Sequence, residues 1–412
     1  MNVVICSQVV LSRAPEGPLA AHICTFAKSL VALGYGASSA HRQVLLASCF
    51  SRWLGHVGVA VQSVTMNDAQ RYLRCRARRL RRGRGDLAAL THFIDFLRRE
   101  GVVPAKKIAV QPLTAIGHCT EAYELYLREA RALARATIVN YVPFIRAFLS
   151  HRFGDGPVVL SQLCPGDVVR FVQWQAPRLH RRSAKLMTSA LRSFLSYAQY
   201  CGDVAVDLTG AVPIVPNWSM TSIPRAIAPD QVRQLLASMD RRTAMGRRDY
   251  AILLLLARLG LRSGEVASLK LDDIDWNAGQ LTVCGKSGHR SGLPLPADVG
   301  KAIVTYLQHG RPHCTSRCLF LRAKAPVRGF HGAGGIGSMV RHALQRAGID
   351  APTTGTHQFR HGLATEMLRK GASLGEIGDV LGHRHLQTTK IYTKVDIAAL
   401  RTLALPWPGG AQ

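Results

Sequence analysis

No apolar run in this chain of 412 residues reaches the ~18 that a membrane-spanning helix needs. Residues 253–256 are apolar, but the stretch is short and flanked by charge. The first seven residues lack a basic start followed by a longer apolar segment, so no signal peptide is expected. These absences predict a cytoplasmic protein with no membrane partner. A disulfide framework is also missing. The ten cysteines show no paired spacing and are expected as reduced thiols. His309, His313, Cys314 and Cys318 resemble a metal cluster, but the spacing of the two cysteines is loose and no second pair follows, so they read as a loop. There is no carboxylate cluster suited to magnesium either. Neither a metal nor another cofactor is expected. Acidic residues are scarce throughout.

The 25 acidic residues face 53 Lys and Arg, a net charge of +28 spread along the whole chain. Only 11 of the 53 are Lys, so an Arg-rich composition accounts for part of the excess. A polyanionic partner is the natural inference, and nucleic acid fits best. A chain this long predicts two or three domains.

The first half reads as helices. Residues 19–33, 39–54, 66–82 and 86–100 carry apolar positions at three- and four-residue spacing, and 120–133, 137–151, 164–174 and 182–200 form a second such set. The sets look like copies of one unit. Residues 51–54 parallel 146–149, 63–73 parallel 162–172, and 89–96 parallel 190–197, with an offset that drifts from 95 to 101. Residues 71–84 hold eight arginines, several expected on one helical face, as a phosphate-backbone contact requires. Arg74, Arg78 and Arg81 in the first set, and Arg181, Arg182 and Lys185 in the second, are the candidate DNA contacts. After a proline-bearing linker the pattern changes to a mixed, mostly helical domain. There 280–284 and 291–295 alternate like two strands around a turn at 285–290. The domains read as an N-terminal helical module (1–105), a second helical module (115–205), a linker (206–228), a C-terminal domain (229–404) and a tail (405–412). The fold class expected is mainly α with a small β-sheet in the C-terminal domain.

Six residues of that domain could share one phosphate. They are Arg262 after Gly260-Leu261, Lys286 in the hairpin turn, His357 and Arg360 three apart on one helix, His383 in Leu381-Gly382-His383, and Tyr392. Each alone is ordinary. Arg262 and Glu265 could be a surface helix pair, Lys286 a hairpin lysine, His383 a cap and Tyr392 a packing residue. His361, next to Arg360, is expected to point elsewhere. Together, two guanidiniums, an amine, two imidazoles and a phenol can clamp a phosphodiester, move protons and attack it.

As a set, these motifs resemble the catalytic domain of the tyrosine recombinases, the phage integrase family, over about residues 229–405. The nine-residue step from His383 to Tyr392 fits that pattern. Residues 119–202 resemble the family's core-binding domain, and the extra N-terminal module is a candidate duplicate of it. Gln358 and Phe359 depart slightly from the usual residues before Arg360. The resemblance implies a C-shaped clamp of several domains on duplex DNA, with helical modules N-terminal to the catalytic domain. It implies that Tyr392 attacks the phosphate to give a 3′-phosphotyrosine. Arg262 and Arg360 would hold its oxygens, Lys286 would protonate the leaving 5′ oxygen, His357 would act as acid/base and His383 would hydrogen-bond the phosphate. Glu265 would buttress Arg262. Neither ATP nor a metal is required. Partners implied are double-stranded recombination sites, a homotetramer on DNA, and an accessory or co-recombinase protein. Two other readings stay open: a nicking–closing enzyme with the same chemistry, and a catalytically silent DNA-binding accessory. Finally, Ile397, Leu400, Leu403 and Ala404 form an apolar stripe ahead of Pro406. In the resembling family such a tail docks on a neighbouring subunit.

Overall fold

The structure, a computed structural model, describes residues 4–6, 9–11, 13–81, 83, 85–104, 113–215, 224–285, 288, 290–383 and 385–395. Lys286 and the stripe beyond residue 395 lie outside them. The chain divides into two compact units. One holds residues 1–106 together with 222–412, and the other holds 107–221.

The first unit begins with a hairpin, β1 (Val4–Cys6) against β2 (Val9–Leu11), which the sequence reading did not anticipate. Four helices follow: α1 (Ala20–Ala32), α2 (Ala37–Val57), α3 (Met66–Ala77) and α4 (Asp86–Arg99). Their apolar faces meet in one core built on Phe26, Phe50, Leu73 and Phe93. Helix α3 stops at Ala77, not at residue 82. The chain bends where Asp86 accepts the Gly83 N–H at 2.9 Å and pairs with Arg76 at 3.0 Å. Arg78, Arg79 and Arg81 therefore lie past the end of the helix rather than on one helical face. Cys24 on α1 is disulfide-bonded, contrary to the expectation of reduced thiols throughout, while eight other described cysteines are free. Helix α1 packs beside β1, which brings the N-terminal hairpin close to that cysteine's helix.

The second unit is also a four-helix set: α5 (Ala115–Glu129), α6 (Arg135–Phe153), α7 (Pro165–Gln175) and α8 (Arg181–Tyr200). Helix α5 begins before the expected residue 120 because Thr114 caps it, its Oγ1 accepting the Gly117 N–H at 3.1 Å. It ends before Ala132, whose φ of 45° leaves the helical region. The third helix of each unit starts with a carboxylate turned back on its own N-terminus. Asp68 Oδ2 accepts the Thr65 N–H at 2.9 Å, and Asp167 Oδ2 accepts the Cys164 N–H at 3.0 Å.

The remainder of the first unit is the mixed domain. Helices α9 (Pro229–Ala237), α10 (Ala244–Arg258) and α11 (Ser263–Ser268) lead into β3 (Ile274–Asp275), β4 (Gln280–Cys284) and β5 (Arg290–Pro294). Then come α12 (Ala297–His309), α13 (Ala333–Arg346), α14 (His357–Arg369), α15 (Leu374–Leu381) and α16 (Leu386–Thr389). Helix α10 is apolar on every side from Ala251 to Leu256, and all six residues are buried. The sheet is antiparallel in the order β3-β4-β5, with Leu281 opposite Leu293 and Cys284 opposite Arg290. The last strand starts one residue earlier than expected. Strand β3, two residues long, is too short to show alternation in sequence. No described helix is long and apolar enough to cross a membrane.

Asp68→Ala and Asp167→Ala should each cost about 1–2 kcal/mol, since each frees a helix N-terminus and at least one guanidinium. Urea unfolding should show a lowered midpoint for each variant, and a parental midpoint would contradict the capping role.

Candidate active site

The site forms where the buried helix α10 ends. Gly260 takes φ 60°, and a Cβ there would stand 2.9 Å from Leu381 and 3.0 Å from Leu363. A glycine therefore suits both the left-handed turn and the close approach. The turn delivers Arg262 to the N-terminus of α11. Glu265 holds it twice: Oε2 accepts the Arg262 N–H at 2.7 Å, and Oε1 accepts its Nη1 at 2.6 Å. Glu265 is buried, whereas Arg262 remains about one-third exposed. The pair fixes one face of the guanidinium and leaves the rest free.

Arg360 enters from α14 and is only 4% exposed. Its Nη1 donates to the Gly260 carbonyl at 2.9 Å, and its Nη2 donates to the Leu381 carbonyl. Burial first, then the charge of Arg262, lowers its pKa to about 10. The described structure gives Arg360 two carbonyls and no carboxylate. Helix α15 ends in a left-handed Gly382, and the His383 N–H turns back to Gly378 O at 2.8 Å. That cap aims His383 at the same place.

Arg262, Arg360 and His383 line one cleft of about 500 Å³. Gly285 and Ser291 of the hairpin border it opposite α15. Lys286 follows Gly285 directly but is not among the described residues. Behind His383 lies Tyr392, 1% exposed, its ring parallel to the imidazole at 6.5 Å between centroids. Burial raises its pKa, against the pull of Arg360 and Arg262. His357 starts α14 at the exposed rim, its ring 6.4 Å from that of His361.

A cleft with two fixed guanidiniums, a histidine and a buried tyrosine behind it suits a phosphate and a nucleophile. Comparison with known proteins agrees. The phage integrase family model matches residues 225–398, and the model of the integrase N-terminal SAM-like domain matches 120–200. A Sinorhizobium fredii protein named as an integrase/recombinase, y4rA, is 57% identical over all of both chains. The tyrosine recombinase XerD of Listeria monocytogenes serotype 4b is 31% identical over 66% of this chain and 91% of its own. The chain belongs to the phage integrase family of tyrosine recombinases. For the fold, the XerH site-specific recombinase bound to palindromic difH substrate aligns with TM-score 0.55 at 19% identity. That alignment covers 75% of this chain and 93% of the other.

Two residues beside this cleft escaped the sequence reading. His361 does not point away: its Nδ1 lies 3.1 Å from the Tyr392 hydroxyl. Its 100° step from Arg360 suggests another direction, but His361 stands four residues after His357, only about 40° round the helix, and the chain after α16 folds back against it. Thr389 is the second. Fully buried, it sets its Oγ1 2.9 Å from His383 Nδ1 and so orients that ring. Its only sequence signal is its place between His383 and Tyr392. The candidate DNA contacts lie elsewhere: Arg74, Arg78 and Arg81 around the end of α3, and Arg181, Arg182 and Lys185 in the first turns of α8. Among the described residues no three His, Cys, Asp or Glu converge as a metal-holding group.

All three site histidines are held below their usual pKa of 6.5 by desolvation first and positive neighbours second, and His383 falls to about 4. The folded state thus favours neutral rings. Their contribution to stability is present above the unfolded pKa of 6.5 and is lost as pH falls toward about 4. The unfolding midpoint should decline across that window, and less so in His383→Asn. Parallel declines in the two proteins would contradict the assignment.

Proposed function

We propose that this recombinase cuts and rejoins duplex DNA at specific sites through a covalent 3′-phosphotyrosine on Tyr392. The observation that carries the reading is the shell round that hydroxyl: His361 at 3.1 Å, a parallel His383, and a cleft lined by Arg262 and Arg360. The Tyr392 oxygen attacks phosphorus, and the bond to the 5′ oxygen breaks. Arg262 and Arg360 offer planar donors to the non-bridging oxygens as charge builds there. Their positions are set before substrate arrives, one by Glu265 and the other by two carbonyls. The family resemblance gives Lys286 the protonation of the leaving 5′ oxygen, and His357 the proton exchange with the tyrosine. In the free chain His361 is the base that touches the phenol. With its proton on Nε2, the neutral ring accepts the Tyr392 O–H at Nδ1. A 5′ hydroxyl of a second strand then attacks the phosphotyrosine, frees Tyr392 and restores a phosphodiester. The number of phosphoester bonds is unchanged, so ATP has no role.

In this reading the six residues Arg262, Lys286, His357, Arg360, His383 and Tyr392 are catalytic, and the domain from 229 to 404 carries them. The module at 115–205 grips the core site with Arg181, Arg182 and Lys185. Strand exchange between two sites calls for four chains on the DNA, in keeping with the clamp and the tail docking that the resemblance implies. Cytoplasmic action on chromosomal or mobile-element DNA, with an accessory protein at some sites, belongs to the same reading.

Tyr392→Phe should still bind duplex but form no covalent adduct on a nicked suicide substrate that traps the parent; an adduct in the variant would sink the assignment. His361→Phe should slow adduct formation about tenfold by removing one hydrogen bond to the nucleophile, with duplex affinity unchanged. An unaltered rate would make His361 a bystander. Adduct formation should survive EDTA, because guanidinium and ammonium groups occupy the roles a metal would fill. Loss of cleavage with binding intact would point to a metal nuclease instead.

A further inference from the structure

One edge of the His383 ring faces a hydroxyl that is fully buried. Thr389 ends α16 and sets its Oγ1 2.9 Å from His383 Nδ1. Among the described residues that nitrogen is the hydroxyl's one hydrogen-bond partner. Room for the contact comes from Gly378, buried on α15. A Cβ there would stand 3.2 Å from Thr389 Oγ1, and the Gly378 carbonyl accepts the His383 N–H at 2.8 Å. One glycine thus fixes the backbone of the histidine and leaves space for the group that meets its ring.

A threonine hydroxyl has one hydrogen to give, and a neutral imidazole carries its single proton on one nitrogen or the other. Two arrangements fit the contact. With the proton on Nδ1, the ring donates to Oγ1. The threonine hydrogen is then left in a buried place without an acceptor, and the bare lone pair of Nε2 is the one offered to an anion. With the proton on Nε2, the Thr389 O–H donates to Nδ1. Both groups are then satisfied, and an N–H is offered to the cleft that His383 lines together with Arg262 and Arg360. An unpaired buried donor is costly, and a lone pair set against a phosphate oxygen repels it. Both costs select the second arrangement. The Tyr392 hydroxyl does not compete for the ring, since its partner is His361 Nδ1 at 3.1 Å. Burial, then the charges of Arg360 and Arg262 and the neighbouring His361, keep His383 neutral in the free chain. The tautomer, not a positive charge, therefore decides whether it can donate.

We propose that Thr389 is a positioning residue of the recombinase site: its hydroxyl donates to Nδ1 and holds neutral His383 as the Nε2–H tautomer, a hydrogen-bond donor to the scissile phosphate. The partner of one ring nitrogen sets the proton on the other. A carboxylate in this place would draw the proton to Nδ1 and turn a lone pair outward, which suits a general base. A hydroxyl with no other acceptor does the reverse. Thr389 touches neither phosphate nor nucleophile and acts through the histidine alone. The inference rests on the strand-cutting reading above.

The test uses the full chain, with two readouts: adduct formation on a nicked suicide duplex, and the nitrogen spectrum of protein carrying isotope-labelled histidine. In the parent, the ring signals that vanish in H383A should have the pattern of an Nε2–H imidazole. T389V keeps the side chain's shape and removes its hydroxyl. At saturating duplex it should form adduct about tenfold more slowly, with duplex affinity unchanged. T389S keeps the hydroxyl and should restore most of the rate. In an H383A background T389V should cause no further loss, because nothing remains to position. An Nδ1–H ring in the parent, a parental rate in T389V, no rescue by T389S, or a second tenfold loss in the H383A background would each overturn the proposal. The tautomer is read on the parental chain, so it decides the matter even if T389V fails to fold. If H383A itself forms adduct at the parental rate, the role given to His383 falls and the proposal with it. If H383A is slow and T389V is not, only the assignment of Thr389 is wrong.

Discussion

The site depends on one buried cation. Arg360 is 4% exposed and gives two of its five N–H donors to backbone carbonyls, Gly260 O and Leu381 O. Through them it ties the end of α10, the start of α14 and the end of α15 to a single point. Those carbonyls carry no formal charge, and Glu265, which pairs directly with Arg262, offsets only part of the guanidinium's charge from a distance. An anion in the cleft would be met by two positive groups whose positions were set during folding. That is the condition under which electrostatic stabilisation is strongest, because little reorganisation remains when charge develops.

The same field explains the histidines. A positive, partly desolvated cleft keeps His357, His361 and His383 neutral, and therefore able to accept protons. It also works against the burial that makes Tyr392 hard to ionise. An incoming phosphate would reverse part of this balance by screening the arginines, which favours protonated imidazole just when a proton must be held. Tyr392 is covered and lies within hydrogen-bond distance of His361 in the free chain.

Much of the cleft's local geometry was legible because its residues sit in short, conformation-bearing motifs. Gly260 before Arg262 marks a left-handed turn, Glu265 three residues on marks a helix start, and Gly382 before His383 marks a helix end. Such local signals survive in sequence. His361 and Thr389 were not legible, since their importance arises from a fold-back that joins segments 31 and 6 residues apart. The helical modules were readable from periodicity, whereas their boundaries at Ala77 and Thr114 were set by bends and caps. The two-residue strand β3 and the N-terminal hairpin carry too few residues for a period to show. The repeat was visible, but its register in the second helix needed the ring contacts of Phe50 with Tyr72 and of Phe148 with Phe171.

The central claim is that Tyr392 becomes joined to DNA. Its most direct measurement is to trap the complex on a suicide duplex, digest with trypsin and nuclease, and sequence the nucleotide-bearing peptide by mass spectrometry. The account predicts the peptide Ile391–Lys394, released between Lys390 and Lys394, with a 3′-phosphate on its tyrosine. A nucleotide on any other residue, or one attached through a 5′-phosphate, would contradict it.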